Sequence, residues 1–268
     1  MSSLVKALFL GIIEGATEFL PVSSTGHLIL FDAILKWNDN FSRTFNVVIQ
    51  SGAILAVIIR FFPFLFPWQR NISPERRASI FMLWGKIIAG VIPALIAGSL
   101  LGGIIEEKLF TSSVVAGALL TGGIILLILE KRQWVPRIES ISEISFSTAI
   151  KIGIFQCTAM VPGVSRSAAT IIGGMLLGAS RSVSTEFSFF LAIPTIIAAS
   201  SYSILKHGFS LSAVQWELLA VGFVSSFITA FLVISAFVKY IKHHNLCPFA
   251  YYRIVLALAV FLIYLTRR

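Results

Sequence analysis

Glu14 and Glu18 are four residues apart, so a helix through them carries both carboxylates on one face. Two acids that close in an apolar setting cannot both ionise cheaply: one holds a proton at neutral pH, or a cation sits between them. A hard divalent ion, Mg²⁺ or Ca²⁺, accepts such oxygen ligands and bridges to phosphate oxygens. The bland alternative is a polar clamp between helices. Ser23, Ser24 and Thr25 follow Pro21 and open a new helix, which makes them caps beside free N–H groups and the positive end of the dipole. A start of that kind is a pocket for anions. His27 comes three residues after Ser24 and shares its helix face. Ser24 is then a candidate nucleophile with His27 as its base, unless His27 attacks phosphorus itself. Farther along, Ser165-Arg166-Ser167 begins a helix after Pro162-Gly163, with Thr170 one turn beyond Arg166. A guanidinium fork at a helix start suits bidentate phosphate binding, and pairing with Glu14 or Glu18 is compatible with that role. Acids, a nucleophile with a base, two helix N-termini and one Arg make up the inventory for phosphoryl transfer. No Walker loop, HExxH or redox CxxC accompanies them.

These residues fall in two copies of one segment. Gly11-Ile-Ile-Glu-Gly-Ala-Thr-Glu-Phe-Leu-Pro-Val-Ser-Ser-Thr-Gly-His27 returns 142 residues later (153 − 11) as Gly153-Ile-Phe-Gln-Cys-Thr-Ala-Met-Val-Pro-Gly-Val-Ser-Arg-Ser-Ala-Ala-Thr170. At that offset Gly11 meets Gly153, Glu14 meets Gln156 and Ser23 meets Ser165. Polar groups in the middle of an apolar stretch mark a site by default, and broken apolar segments in matching positions of two halves say where it lies.

The elements that must position them belong to a membrane. The chain is 57% hydrophobic and 12% charged, with a mean hydropathy of +0.91; soluble domains carry about 25% charge. The net charge of +9 goes with no basic run interleaved with aromatics, so Lys and Arg flank the spans and nucleic acid is excluded. Cys157 and Cys247 form neither a disulfide framework nor a metal spacing. Leu4–Ile13 resembles the apolar core of a signal peptide, but Glu14 and Glu18 follow directly and no small-residue cleavage site appears, so it is expected to be retained.

Thr44–Ile59, Ile87–Ile105, Leu109–Leu129, Phe187–Leu205, Leu218–Val238 and Ile254–Thr266 are charge-free windows near spanning length. The last is short, with Tyr251, Tyr252 and a snorkelling Arg253 to extend it. Gly98-x-x-x-Gly102 and Gly174-x-x-x-Gly178 offer small faces for helix packing. Leu4–Leu20 with Val22–Leu35, and Ile152–Ser165 with Ser167–Ser180, are too short to span and read as re-entrant hairpins turning at Pro21 and Pro162. The expected fold is an all-α polytopic membrane protein with one membrane domain over residues 1–268. Its halves, about 1–140 and 141–268, each hold a re-entrant hairpin and three transmembrane helices. Three crossings invert the second half, giving an inverted repeat whose hairpin tips meet near the midplane. Eleven Lys and Arg flank the side holding Arg60 and Lys86, against seven on the other, which makes the first side cytoplasmic.

Glu14-Gly-Ala-Thr-Glu-Phe-Leu-Pro-Val-Ser-Ser-Thr-Gly-His27 and Pro162-Gly-Val-Ser-Arg-Ser-Ala-Ala-Thr170 resemble the two signatures of the undecaprenyl-diphosphatase (bacitracin-resistance) family. The similarity extends through Phe45-Asn-Val-Val-Ile-Gln-Ser-Gly-Ala-Ile-Leu-Ala-Val57. Ala168 stands where that family usually has Gly, Ser51 where Leu is usual, and Asn46 where an acid is common. The resemblance implies hydrolysis of a polyprenyl diphosphate lipid at an outward-facing site in the bacterial inner membrane, with a divalent cation. By position it implies Glu14 and Glu18 as the acidic motif, Ser24 and His27 as nucleophile and neighbour, and Ser165, Arg166, Ser167 and Thr170 as the phosphate turn. Membrane lipid is a partner, and a homodimer stays open. The rival class is an inverted-repeat transporter or flippase of a phosphorylated polyprenyl lipid.

Overall fold

The computed structural model describes residues 2–35, 37, 40–132, 135–208 and 211–266. They form helices α1 (Ser3–Thr17), α2 (Ser24–Leu35), α3 (Asn40–Val48), α4 (Gln50–Arg60), α5 (Phe62–Leu65), α6 (Pro74–Leu109) and α7 (Ser112–Lys131). After these come α8 (Phe146–Cys157), α9 (Arg166–Leu176), α10 (Arg181–His207), α11 (Ala213–Ile241) and α12 (Cys247–Thr266). Among the described residues, five stretches are long and apolar enough to cross a bilayer: Phe41–Arg60, Pro74–Ile105, Ser112–Lys131, Arg181–Lys206 and Ala213–Ile241. The protein is thus a multi-pass, all-α membrane protein. Cys247–Ile263 is apolar but shorter.

Both repeat segments are broken where their prolines stand. Residues 18–23 turn between α1 and α2, and residues 158–165 turn between α8 and α9. The span expected from Ile87 instead begins at Pro74, capped by Ser73, whose hydroxyl accepts from the Arg76 N–H. Its 36 residues make a helix of about 54 Å, longer than the hydrocarbon core, so the charged turns before Ile87 extend past it.

Lipid tails are as apolar as leucine, so helices in a bilayer associate through close packing. Here that packing crosses between the halves. Helix α1 lies along α11, α8 lies along α6, and α7 lies along α12. Small residues let the backbones approach: a Cβ at Gly11 would strike the Gly222 carbonyl and Ser225 Oγ, and one at Gly153 would strike the Gly90 carbonyl. Gly174 abuts Ser184, whereas Gly98 and Gly102 face open space. An aromatic cluster packs around the first turn. Phe19, fully buried, meets Phe189 edge-on at 5.3 Å, and Phe61 meets Phe190 edge-on at 5.3 Å.

Arg253 departs from the expectation of a snorkelling side chain. It is fully buried, with its guanidinium donating to five main-chain carbonyls inside the protein.

Candidate active site

Ser23 and Ser165 are the caps of the two helices that start at the turns. Ser23 Oγ accepts from the Gly26 N–H at 3.2 Å and Ser165 Oγ from the Ala168 N–H at 3.2 Å. Both residues take left-handed backbone angles, φ 70° and φ 73°. The first residue of each helix, Ser24 or Arg166, meets Glu18 of the first turn, so Arg166 reaches across and the two turns meet. Arg166 Nη2 and Nε donate to Glu18 Oε1 at 3.1 and 3.3 Å, and its Nη1 donates to the Ser188 carbonyl at 2.9 Å. Ser24 donates its hydroxyl hydrogen to Glu18 Oε2 at 2.6 Å. One carboxylate therefore bridges a hydroxyl at one helix start and a guanidinium at the other. A hydroxyl, a carboxylate and a guanidinium stand in hydrogen-bonding sequence, an arrangement that could activate a serine.

A cavity of about 160 Å³ opens on this cluster. Glu18, Ser24, Thr25, Ser165 and Arg166 line it, joined by Gln50, Thr195 and Ala159. Gln50 begins α4 at the break after Val48, and Thr195 follows Pro194 inside α10. Their one sequence signal was an uncharged polar residue beside an interruption in an apolar span.

Other predicted residues stand behind the cavity. Ser23 is buried as a cap. Ser167, fully buried, donates to the Leu20 carbonyl at 2.8 Å and ties one turn to the other. Thr170 pairs with Ser188 Oγ at 2.6 Å and donates to the Arg166 carbonyl at 2.9 Å. Glu14 is fully buried, and neither of its carboxyl oxygens has a hydrogen-bond partner among the described residues.

The pairing of Ser24 with His27 expected from their spacing is not made, and Glu18 takes that place. A helical side chain leans back over the preceding turn, which carries the His27 ring to the Ser23 carbonyl at 2.7 Å. A carbonyl only accepts, so Nδ1 holds the proton, and in the neutral ring Nε2 accepts from the Tyr252 hydroxyl at 2.6 Å. Tyr252 enters from α12 and was not singled out for this contact in the sequence.

Residues 7–259 match the family described as bacitracin resistance protein BacA. The chain is 48% identical over 257 residues to undecaprenyl-diphosphatase 1 of Clostridioides difficile (strain 630), covering 95% of this chain and 94% of that protein. It is 47% identical over 256 residues to an undecaprenyl-diphosphatase of Methylococcus capsulatus, with 96% and 93% covered. To one of Thermoanaerobacter pseudethanolicus it is 43% identical over 267 residues, with 98% and 97% covered.

Proposed function

This chain belongs to the bacitracin resistance protein BacA family, and from that premise we propose that it hydrolyses undecaprenyl diphosphate to undecaprenyl phosphate and inorganic phosphate. The observation that carries the chemistry is Glu18, whose two oxygens hold Ser24 and Arg166. An incoming terminal phosphate competes with Glu18 for the Arg166 fork, and the helix starts at Ser24 and Arg166 add N–H groups and positive dipole ends. Ser24 Oγ attacks the terminal phosphorus while Glu18 accepts its proton. The bridging P–O bond breaks, and the proton follows the departing undecaprenyl phosphate. Water then attacks the phosphoserine; Glu18 takes one of its protons and returns it to Ser24. In this scheme His27 supports the turn by holding the Ser23 carbonyl.

A divalent cation fits the same corner. Glu14 has two buried oxygens without partners, and Glu18 lies one helical turn on; the described residues hold no cluster of three His, Cys, Asp or Glu groups, so phosphate oxygens would complete the set. Glu14 and Glu18 would hold Mg²⁺ or Ca²⁺, which when bound supplies positive charge to phosphate oxygens.

We further read the two halves as an inverted repeat with re-entrant hairpins. The crossed packing of α1 on α11 and α8 on α6 supports it, with Gly11 and Gly153 in equivalent close contacts. The excess of Lys and Arg on the side of Arg60 and Lys86 supports a site opening to the outer face of the bacterial inner membrane. Phosphate release by the purified protein from undecaprenyl diphosphate tests the activity. Hydrolysis is expected, and a lipid carrier without phosphatase activity would release none.

A further inference from the structure

Arg253 on α12 lies outside the catalytic cluster, yet it touches both turns that build it. Its guanidinium donates to the carbonyls of Pro21 at 3.3 Å, Gly163 at 3.1 Å and Val164 at 3.0 Å. It also donates to Ala118 and Leu119 of α7 at 3.3 and 3.4 Å. Pro21 and Gly163 are equivalent positions of the repeat (163 − 21 = 142). One side chain thus joins matching points of the two turns to a third helix. Among the described residues its hydrogen-bond acceptors are main-chain carbonyls alone, so the burial of this cation is offset without an acid. A buried cation is expensive to desolvate, and a neutral side chain would serve if filling space were its whole task. The fork supplies what no neutral residue can: five donors in a fixed plane, meeting carbonyl dipoles that would otherwise converge and repel one another.

We propose that Arg253 is the positioning residue that registers the two turns, holding Ser24 and Glu18 of one against Arg166 of the other. The proposal rests on the phosphatase activity above. Gly122 on α7 reports on the same register, because a Cβ there would overlap Arg253 Nη2.

The test compares Arg253→Lys and Gly122→Ala with wild type for melting temperature, kcat and KM on undecaprenyl diphosphate in detergent. A lysine reaches only part of the carbonyl set, and misplacing reacting groups by about 1 Å costs about 10²-fold in rate. The expected result is a folded Arg253→Lys protein whose kcat falls by about that factor, with KM changed by less than about threefold because Arg253 does not touch substrate. Gly122→Ala is expected to lower kcat in the same direction with the guanidinium charge intact. Folded variants with wild-type kcat would overturn the proposal, as would a rise in KM alone. Failure of both to fold would assign Arg253 to folding and overturn it too. An inactive wild type would instead remove the phosphatase activity itself.

Discussion

Ser23 and Ser165, 142 residues apart (165 − 23), share a positive φ and cap the helices that follow them in the same way. A left-handed backbone costs a residue with a Cβ about 1–2 kcal/mol. The chain accepts that cost twice, and each time the next residue hydrogen-bonds Glu18.

Replacing either serine by glycine removes that cost along with the cap, so Ser23→Gly and Ser165→Gly are expected to stay within about 1 kcal/mol of wild type. Alanine keeps the conformational cost and loses the cap, at about 0.5–2 kcal/mol. Denaturation in detergent should rank Gly above Ala at both positions; the opposite rank would mean that the positive φ costs less than the chain entropy that glycine adds to the unfolded state.

Much of this was legible in the sequence because repetition and interruption survive as patterns. The repeat located both turns, and the prolines in apolar stretches located the breaks that bring Glu18, Ser24 and Arg166 together. The partner of Ser24 was not legible. Residues three apart share a helix face, but His27 leans back to the Ser23 carbonyl while Ser24, at the helix start, faces the turn and Glu18. Arg253 was also out of reach, since an Arg near a helix end reads as lipid-facing and its carbonyl acceptors come from three distant segments. Gln50 and Thr195 enter the cavity through long-range packing, of which the sequence shows only a polar residue beside a break in an apolar span.

Glu18→Gln is expected to remove turnover more completely than Glu14→Gln. Glu18 alone joins Ser24 to Arg166, while Glu14 has no hydrogen-bond partner among the described residues and corresponds to Gln156 in the repeat. Steady-state rates of folded variants check this. Equal losses would place both acids in one indivisible unit.

Arg166→Lys keeps the charge and loses the planar fork that Glu18 and phosphate share. The expected loss in kcat is about 10²–10³-fold, the effect of one strong transition-state contact. Activity within about threefold of wild type would reduce Arg166 to a general electrostatic role.

Gly153→Ala should destabilise the protein by about 1–3 kcal/mol, because the added carbon meets the Gly90 carbonyl, which is backbone and cannot turn aside. Gly98→Ala, with open space around it, is the control and should gain up to about 1 kcal/mol of helix propensity. Thermal melts of the pair compare crossed packing with an open helix face. Similar melting points would show that the approach of α8 to α6 is not tight.

Ser24, activated by Glu18, is proposed to take the phosphoryl group. Rapid acid quench of enzyme turning over substrate labelled in the terminal phosphate, followed by peptide mapping, reads it directly. The predicted result is an acid-stable phosphoserine at Ser24, absent in Ser24→Ala, with His27→Ala retaining measurable turnover. An acid-labile label mapping to His27, or turnover that survives in Ser24→Ala and vanishes in His27→Ala, would contradict it.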